Sequence, residues 1–360
     1  MNCVAIEVIA RPSIGVKEAE ILLTMPPLVP RVTLCETEDG IMTTGFRRFG
    51  LGVGLLLALV PSSALAHGGG QEKPGLGTLL TEWEFDALFI APALIASWLY
   101  IAGLRRVNSL HPASPWPRKR TAYFFAGMAV MVLAVMSPLA TYDTTLFSVH
   151  MWQHMLITMV AAPLLLLGTP ITLGLRAAST ELRREVLLPF LHSRLMRVVT
   201  FPAIAWLAFA ATMWASHFSP LYNESLENVW AHRFEHFWYL GAALLFWWQV
   251  IQVDPTPWRM SHPVRLLYLG LQMPQNTFLA VAIYGANEVL YDHYGTVVRD
   301  WGPSPLSDQQ LAGITMWVVG DLFFLGAAAM VAYGWIKHED RQAKRVDRQL
   351  ARERVVAGRA

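Results

Sequence analysis

Cysteine is nearly absent from this sequence, because its 360 residues include only two, Cys3 and Cys35. Both lie in the first 41 residues, which show no sustained apolar periodicity. A chain that lacks this segment has neither a disulfide nor a thiolate metal ligand. The sequence also lacks a glycine-rich phosphate loop, a nucleophile elbow and a dinucleotide-binding fingerprint. These absences argue against a cofactor-driven soluble enzyme, and we expect no nucleic-acid partner.

Charged residues are scarce as well. They make up 15% of the chain, whereas hydrophobic residues make up 54%. In a soluble domain about a quarter of all residues are usually charged. The composition is therefore typical of an integral protein of a lipid bilayer, and the net charge of +2 adds little to this interpretation.

A secretory signal peptide is predicted at residues 42–66. A basic start, an apolar stretch and a small-x-small cleavage site follow one another there: Arg47–Arg48, Leu51–Val60 and Ala64–Ala66. We expect translation to begin at Met42, which makes residues 1–41 a doubtful leader, and the mature chain to begin at His67. An uncleaved signal that forms one more span is the alternative.

Apolar stretches after the signal peptide predict a polytopic membrane protein. Seven of them are long enough to cross about 30 Å of hydrocarbon. They are residues 84–104, 120–141, 149–174, 198–216, 231–252, 264–286 and 311–336. We therefore predict an all-α fold, a bundle of seven transmembrane helices at 84–336. A short periplasmic segment at 67–83 precedes it and a basic cytoplasmic tail at 337–360 follows it.

Loop charges predict the orientation of this bundle. Arginine and lysine are concentrated in the first, third and fifth loops and in the tail, whereas loops 142–148, 217–230 and 287–310 are acidic and contain a single basic residue, Arg299. Basic loops lie in the cytoplasm by the positive-inside rule. The mature N-terminus is then periplasmic and the C-terminus cytoplasmic in a bacterial inner membrane, as a cleaved signal requires.

Histidines on the predicted outer side form two pairs with a spacing of four residues. His150 and His154 open the third span, and His232 and His236 open the fifth. This spacing places both imidazoles of a pair on one face of a helix. His217 lies at the outer end of the fourth span. A single histidine at a membrane interface is commonly an anchor, but five of them at the outer helix ends predict a metal site.

The identity of the metal is suggested by the methionines beside these histidines, Met151, Met155 and Met213. Imidazole with thioether, and without thiolate, favours copper and especially Cu(I). Core packing is the alternative role of each methionine. Zinc is the alternative metal, with Glu235 or Asp308 as a further ligand. Additional candidate ligands are His67, Asp308 and Asp321.

The run HRFEH, residues 232–236, matches the H-x-x-E-H pattern of inverted zinc proteases. In this interpretation the two histidines bind zinc and Glu235 is the general base. The sequence shows no third ligand. A membrane zinc hydrolase is thus a second hypothesis for the same residues.

Polar residues also occur deeper in the predicted spans. Asp321 lies near the middle of the last span, and Gln272, Gln275 and Asn276 lie in the middle of the sixth. An intramembrane carboxylate needs a partner or a wet cavity. Either Asp321 forms a hydrogen bond across the bundle to these amides, or the group marks the pathway of a transporter or permease for copper or haem.

Three stretches carry a family resemblance. They are HMWQHMLITMVAAPLLLLGTP, WASHFSPLYNESLENVWAHRFEHFWYLGAALLFWWQVI and DQQLAGITMWVVGDLFFLGA. Together they resemble the multi-spanning CtaG family of bacterial cytochrome c oxidase assembly factors, over residues 84–336. The resemblance implies a membrane protein, not an enzyme, that helps to mature a haem-copper oxidase of the respiratory chain by delivering copper.

The same resemblance implies partners and polar positions of interest. The expected partners are the oxidase subunits and periplasmic copper chaperones. The positions carried over by the resemblance are His150, His154, His217, His232, His236, Asp308, Gln309, Gln310 and Asp321. It implies no particular ligand set, so the copper prediction depends on the residue chemistry described above.

Overall fold

The computed structural model describes residues 73–357. The predicted leader, the signal peptide and the candidate ligand His67 lie outside these residues, as do both cysteines. Residues 73–357 contain helices and no strand. The prediction of an all-α fold is confirmed for this part of the chain.

Seven long helices occur in the order of the seven predicted spans. They are α1 (Ala87–Leu110), α2 (Arg118–Met136), α3 (beginning with Phe147–Met155), α4 (Pro202–His217), α5 (Val229–Ile251), α6 (His262–Tyr284) and α7 (Pro305–Ala357). Short helices lie before and between them at Leu76–Thr81, Pro138–Tyr142, Thr180–Leu182, Leu188–Leu191, Arg194–Val199, Leu221–Glu227 and Asp292–Thr296, and a π-helical turn lies at Arg183–Leu187.

Within residues 73–357, four helices are long and apolar enough to cross a membrane. They are Ala87–Leu110, Arg118–Tyr142, Phe147–Ala177 and Pro305–Ala351. The other three helices differ for physical reasons: α4 has only 16 residues, whereas polar and aromatic side chains interrupt the apolar sequence of α5 and α6. The last helix, α7, continues from the predicted span into the basic tail as one helix of 53 residues.

Helix α3 changes its geometry along its length. It begins as Phe147–Met155, passes through a π-helical turn at Leu156–Ala161, continues as Ala162–Leu167, and resumes as Pro170–Ala177. The last two segments are joined by Thr169, which adopts a left-handed backbone conformation with φ 51°. Isolated π-helical turns of this kind are frequent at functional sites.

Two aspartates from distant parts of the chain cap the first and the last helical segments of α3, each at the segment's N-terminus. Asp308 accepts the backbone N–H of Phe147 at 2.6 Å and the hydroxyl of Ser148 at 2.5 Å. Asp254 accepts the backbone N–H of Thr172 at 2.8 Å. Helix N-termini leave such donors unsatisfied. The cap by Asp308 positions the first turn of α3, which carries His150, against α7.

A continuous apolar core joins the later helices. Phe246 of α5 contacts Phe209 of α4, Tyr268 of α6 and Phe324 of α7, with ring centroids 4.7, 4.8 and 5.9 Å apart. Trp247, beside it, donates to the carbonyl of Thr158 in the π-helical turn at 2.8 Å. The core thus anchors α5 to α3 at residues that follow the histidine pair in each helix.

Candidate metal centre

The two histidine pairs predicted from the sequence face each other across α3 and α5. The ring centroids of His150 and His232 lie 5.4 Å apart, and those of His154 and His236 lie 5.8 Å apart. All four side chains are buried, none being more than 5% exposed. The structure therefore brings both pairs together in one buried group.

Within the α3 pair, the Nε2 atoms of His150 and His154 lie 2.5 Å apart. Neither Nδ1 atom has a hydrogen-bond partner among the residues described. A tetrahedral ion with bonds of ~2.0–2.1 Å holds two nitrogen ligands roughly 3.3 Å apart. Binding of one ion by both rings would thus require them to separate by less than an ångström.

Glu235 lies between the pairs. Its Oε1 is 3.7 Å from Nε2 of His154, and its Oε2 is 3.8 Å from Nε2 of His150. The side chain is buried, and neither oxygen accepts a hydrogen bond within the described part of the chain. A buried carboxylate is costly unless hydrogen bonds or a cation compensate for its lost hydration. Glu235 therefore fits a cation site.

Asp143 is a member of the group that the sequence did not reveal. It lies in the turn between Pro138–Tyr142 and α3, and its Oδ2 is 3.5 Å from Nε2 of His232. Burial raises the pKa of the Asp143 carboxyl well above its usual range, and the nearby charge of Glu84 acts in the same direction. A cation beside Asp143 would offset both effects.

Two sets of three side chains have the geometry of metal ligands. Asp143, His232 and His236 form one, and His150, His232 and Glu235 form the other; within each set the ligand atoms lie within 4.8 Å of one another. We call these residues together with His154 the histidine–carboxylate cluster. Imidazole and carboxylate donors suit zinc and copper.

Gln153, which the sequence analysis also missed, orients His236. Its amide Nε2 donates to the carbonyl of Ala134 at 3.0 Å, so its Oε1 faces His236 and accepts from Nε2 of that ring at 2.9 Å. This assigns the proton of His236 to Nε2 and its lone pair to Nδ1. Metal-binding histidines are commonly fixed in this way by a hydrogen bond from the other ring nitrogen.

His217 lies next to the cluster but belongs to neither ligand set. Its Nδ1 donates to the carbonyl of Met213 at 2.7 Å, and its Nε2 has no hydrogen-bond partner among the described residues. The rings of His217 and His150 both contact Tyr222, at 5.6 and 5.2 Å. The fifth predicted histidine thus offers a free lone pair near His150.

The methionine candidates are packing residues of the core. Met151, Met155 and Met213 are at most 7% exposed and belong to the same apolar cluster as Phe147 and Phe209. This is the alternative role that the sequence left open for them. Coordination of metal by their thioethers stays a prediction.

Asp308 and Asp321 belong to neither ligand set and form hydrogen bonds to other groups. Asp308 uses both oxygens to cap α3. Asp321 accepts from the amide of Asn276 at 3.2 Å and from the hydroxyl of Thr277 at 2.7 Å. Asp321 therefore joins α7 to α6, as expected if it forms a hydrogen bond across the bundle to the amide group.

The chain is similar to a known protein family and to several uncharacterized proteins. The model of the family described as cytochrome c oxidase caa3 assembly factor (Caa3_CtaG) matches residues 98–338. Uncharacterized proteins of Mycobacterium bovis and Mycobacterium tuberculosis are each 31% identical over 288 residues, and one of Mycobacterium leprae is 29% identical over 284. Each match covers 77% of this chain and 43% of the relative, so the chain spans less than half the length of these curated relatives. No solved structure matches.

Proposed function

Because the chain belongs to the family of cytochrome c oxidase caa3 assembly factors, we propose that it binds copper and delivers it to a haem-copper oxidase. The observation that carries the proposal is the convergence of four buried histidines with two buried carboxylates in the histidine–carboxylate cluster. A carrier of metal needs ligands and a partner, and it needs no catalytic nucleophile. The proposed partners are the oxidase subunits and periplasmic copper chaperones.

Copper fits the donors of the cluster. Imidazole nitrogen binds both copper and zinc, and copper is the more tightly bound of the two divalent ions at a given nitrogen and oxygen site. The carboxylates of Asp143 and Glu235 favour a divalent ion, whereas Cu(I) would use imidazole nitrogens or a thioether. We therefore propose Cu(II) as the cargo where a carboxylate is a ligand, in place of the Cu(I) expected from the sequence, and zinc as the competing ion.

The proposed topology places the cluster where such partners would reach it. We propose that all seven helices cross the bacterial inner membrane, with the basic loops in the cytoplasm. The first turns of α3 and α5, which carry His150 and His232, then lie at the periplasmic side. The cleaved signal peptide at 42–66 belongs to the same proposal.

Deletion of the gene is expected to abolish assembly of the oxidase. Membranes of the deletion strain should lose oxidase activity and the haem absorption bands of the oxidase, because its copper centre stays unfilled. A plasmid with the wild-type chain should restore both, and excess copper in the medium should restore them in part. A normal oxidase together with altered cellular copper would contradict the proposal and favour a transporter.

A zinc hydrolase is the second candidate, and one observation favours it. Asp143 supplies the third ligand that HRFEH lacked, beside His232 and His236. Replacing Glu235 by Gln removes the general base and keeps the shape of the side chain. We expect Glu235→Gln to retain copper binding and oxidase assembly. Loss of oxidase assembly together with accumulation of an uncleaved membrane protein would support the hydrolase instead.

A further inference from the structure

We propose, as an extension of the proposed function, that the cluster holds one copper ion in either of two overlapping positions. In the aspartate position the ligands are Asp143, His232 and His236. In the glutamate position they are His150, His232 and Glu235. The ion moves between the positions by exchanging two ligands while His232 stays bound.

The shared ligand limits the cluster to one ion. His232 belongs to both sets, and the ligand atoms of each set lie within 4.8 Å of one another. Two divalent ions bound at once would compete for the same imidazole. They would also repel each other at short range in a site that is shielded from water.

The two positions offer matched donors, since each supplies two imidazoles and one carboxylate. The carboxylates are nevertheless separate: Asp143 lies 3.5 Å from His232, whereas Glu235 lies 3.7 and 3.8 Å from the two histidines of α3. An ion in either position therefore meets the same kinds of ligand. The two positions should consequently be close in free energy, and an ion held by His232 need not become hydrated between them.

The two positions adjoin different helices, so an ion that moves between them would pass from one side of the bundle to another. His236 of the aspartate position contacts Phe89 of α1, with ring centroids 5.7 Å apart. The adjacent Arg233 forms an ion pair with Asp86 at the start of α1, at 2.6 Å. The glutamate position instead adjoins His154, which packs on Tyr239 at 4.0 Å. Movement between the positions thus carries the ion from the α1 side of the bundle to the side of α3 and α5.

The test uses the purified full-length chain in detergent, with Cu(II) as the probe. Asp143→Asn removes the aspartate position and Glu235→Gln removes the glutamate position, each with a side chain of the same shape. Paramagnetic resonance of the wild type should show two copper components that together account for one ion per chain. Each single variant should keep one ion and show one component. Its affinity should fall by only about twofold if the positions are equal, whereas the double variant should lose more than about 100-fold.

An exposed glutamate outside the cluster provides the control for these variants. Glu224→Gln, an exposed substitution of the same type near the start of α5, should leave both components unchanged. If an isosteric variant fails to fold, as judged by size exclusion, His236→Gln and His150→Gln remove the same two positions. Two ions per chain would overturn the inference, as would single variants that each lose as much affinity as the double variant. Those results would leave copper binding and the proposed function intact, whereas a wild-type chain that binds no copper would overturn both.

Discussion

Replacing His232 by alanine is expected to abolish copper binding, the largest effect of any single substitution in the cluster. His232 is the ligand common to both sets, so its loss leaves each position with two ligands only. We expect copper affinity to fall by more than about 100-fold, because removal even of supporting contacts around a metal costs 10–100-fold. Equilibrium titration with Cu(II) measures the affinity. A deletion strain that carries the variant should also lack assembled oxidase.

The controls for this substitution are histidines outside the cluster. His111 and His192 are exposed, and the ring of His192 forms a local hydrogen bond to the carbonyl of Leu188. Alanine at either position should leave copper affinity and oxidase assembly unchanged. His150→Ala, which removes one position, should have a smaller effect than His232→Ala. Retention of wild-type affinity by His232→Ala would show that the cluster is not the copper site.

Replacing Gln153 by alanine is expected to weaken copper binding at the aspartate position by about 10–100-fold, the usual effect of removing a hydrogen bond behind a metal-binding histidine, and to leave the glutamate position in place. Gln153 belongs to neither ligand set, but it fixes the ring of His236 through Oε1. Without it, the ring is free to rotate and to move its proton to Nδ1. The total Cu(II) affinity, measured by the same titration, should then fall by only about twofold, whereas the resonance component of the aspartate position should nearly disappear.

A conservative change separates orientation from packing at this position. Gln153→Glu keeps an acceptor for the N–H of His236, so it should restore most of the resonance component of the aspartate position, although it gives up the bond to the Ala134 carbonyl. Resonance spectra should show that Gln153→Ala weakens the component assigned to Asp143 and His236 and leaves the other in place. Equal loss of both components, with no recovery by Glu, would indicate a general structural defect.

The histidine pairs could be predicted because their geometry is local. Residues four apart in a helix share a face of that helix, so the spacing of His150 and His154 is enough to predict that their side chains lie together. The positions of the long helices could also be predicted, because the length of an apolar stretch is a local property of the sequence. That the pair of α3 would meet the pair of α5 depends on helix packing, and the sequence supported this only through the position of both pairs at outer helix ends.

Asp143 and Gln153 show what local patterns cannot reveal. Asp143 is a ligand candidate because a turn returns it to His232 of α5, and its neighbours in the sequence give no sign of this contact. Gln153 lies near the start of α3. The sequence identifies it only as a polar residue within an apolar span and gives no sign of its contact with His236. Asp308 presents the opposite case: its carboxylate suggested a ligand, but the N–H groups that it caps are backbone donors, which residue types do not display.

The π-helical turn at Leu156–Ala161 has a consequence for how the histidine pair is aimed. A π turn accommodates one residue more than the α-helix around it, and each residue of an α-helix adds a rotation of about 100°. The number of residues in this turn, rather than their side chains, therefore sets the direction of His150 and His154 relative to the segments of α3 that follow the turn. Loss of one residue there would leave a regular helix of nearly the same length and hydrophobicity. Its two imidazoles would point away from α5, so insertions and deletions at this turn act on the metal ligands without touching them.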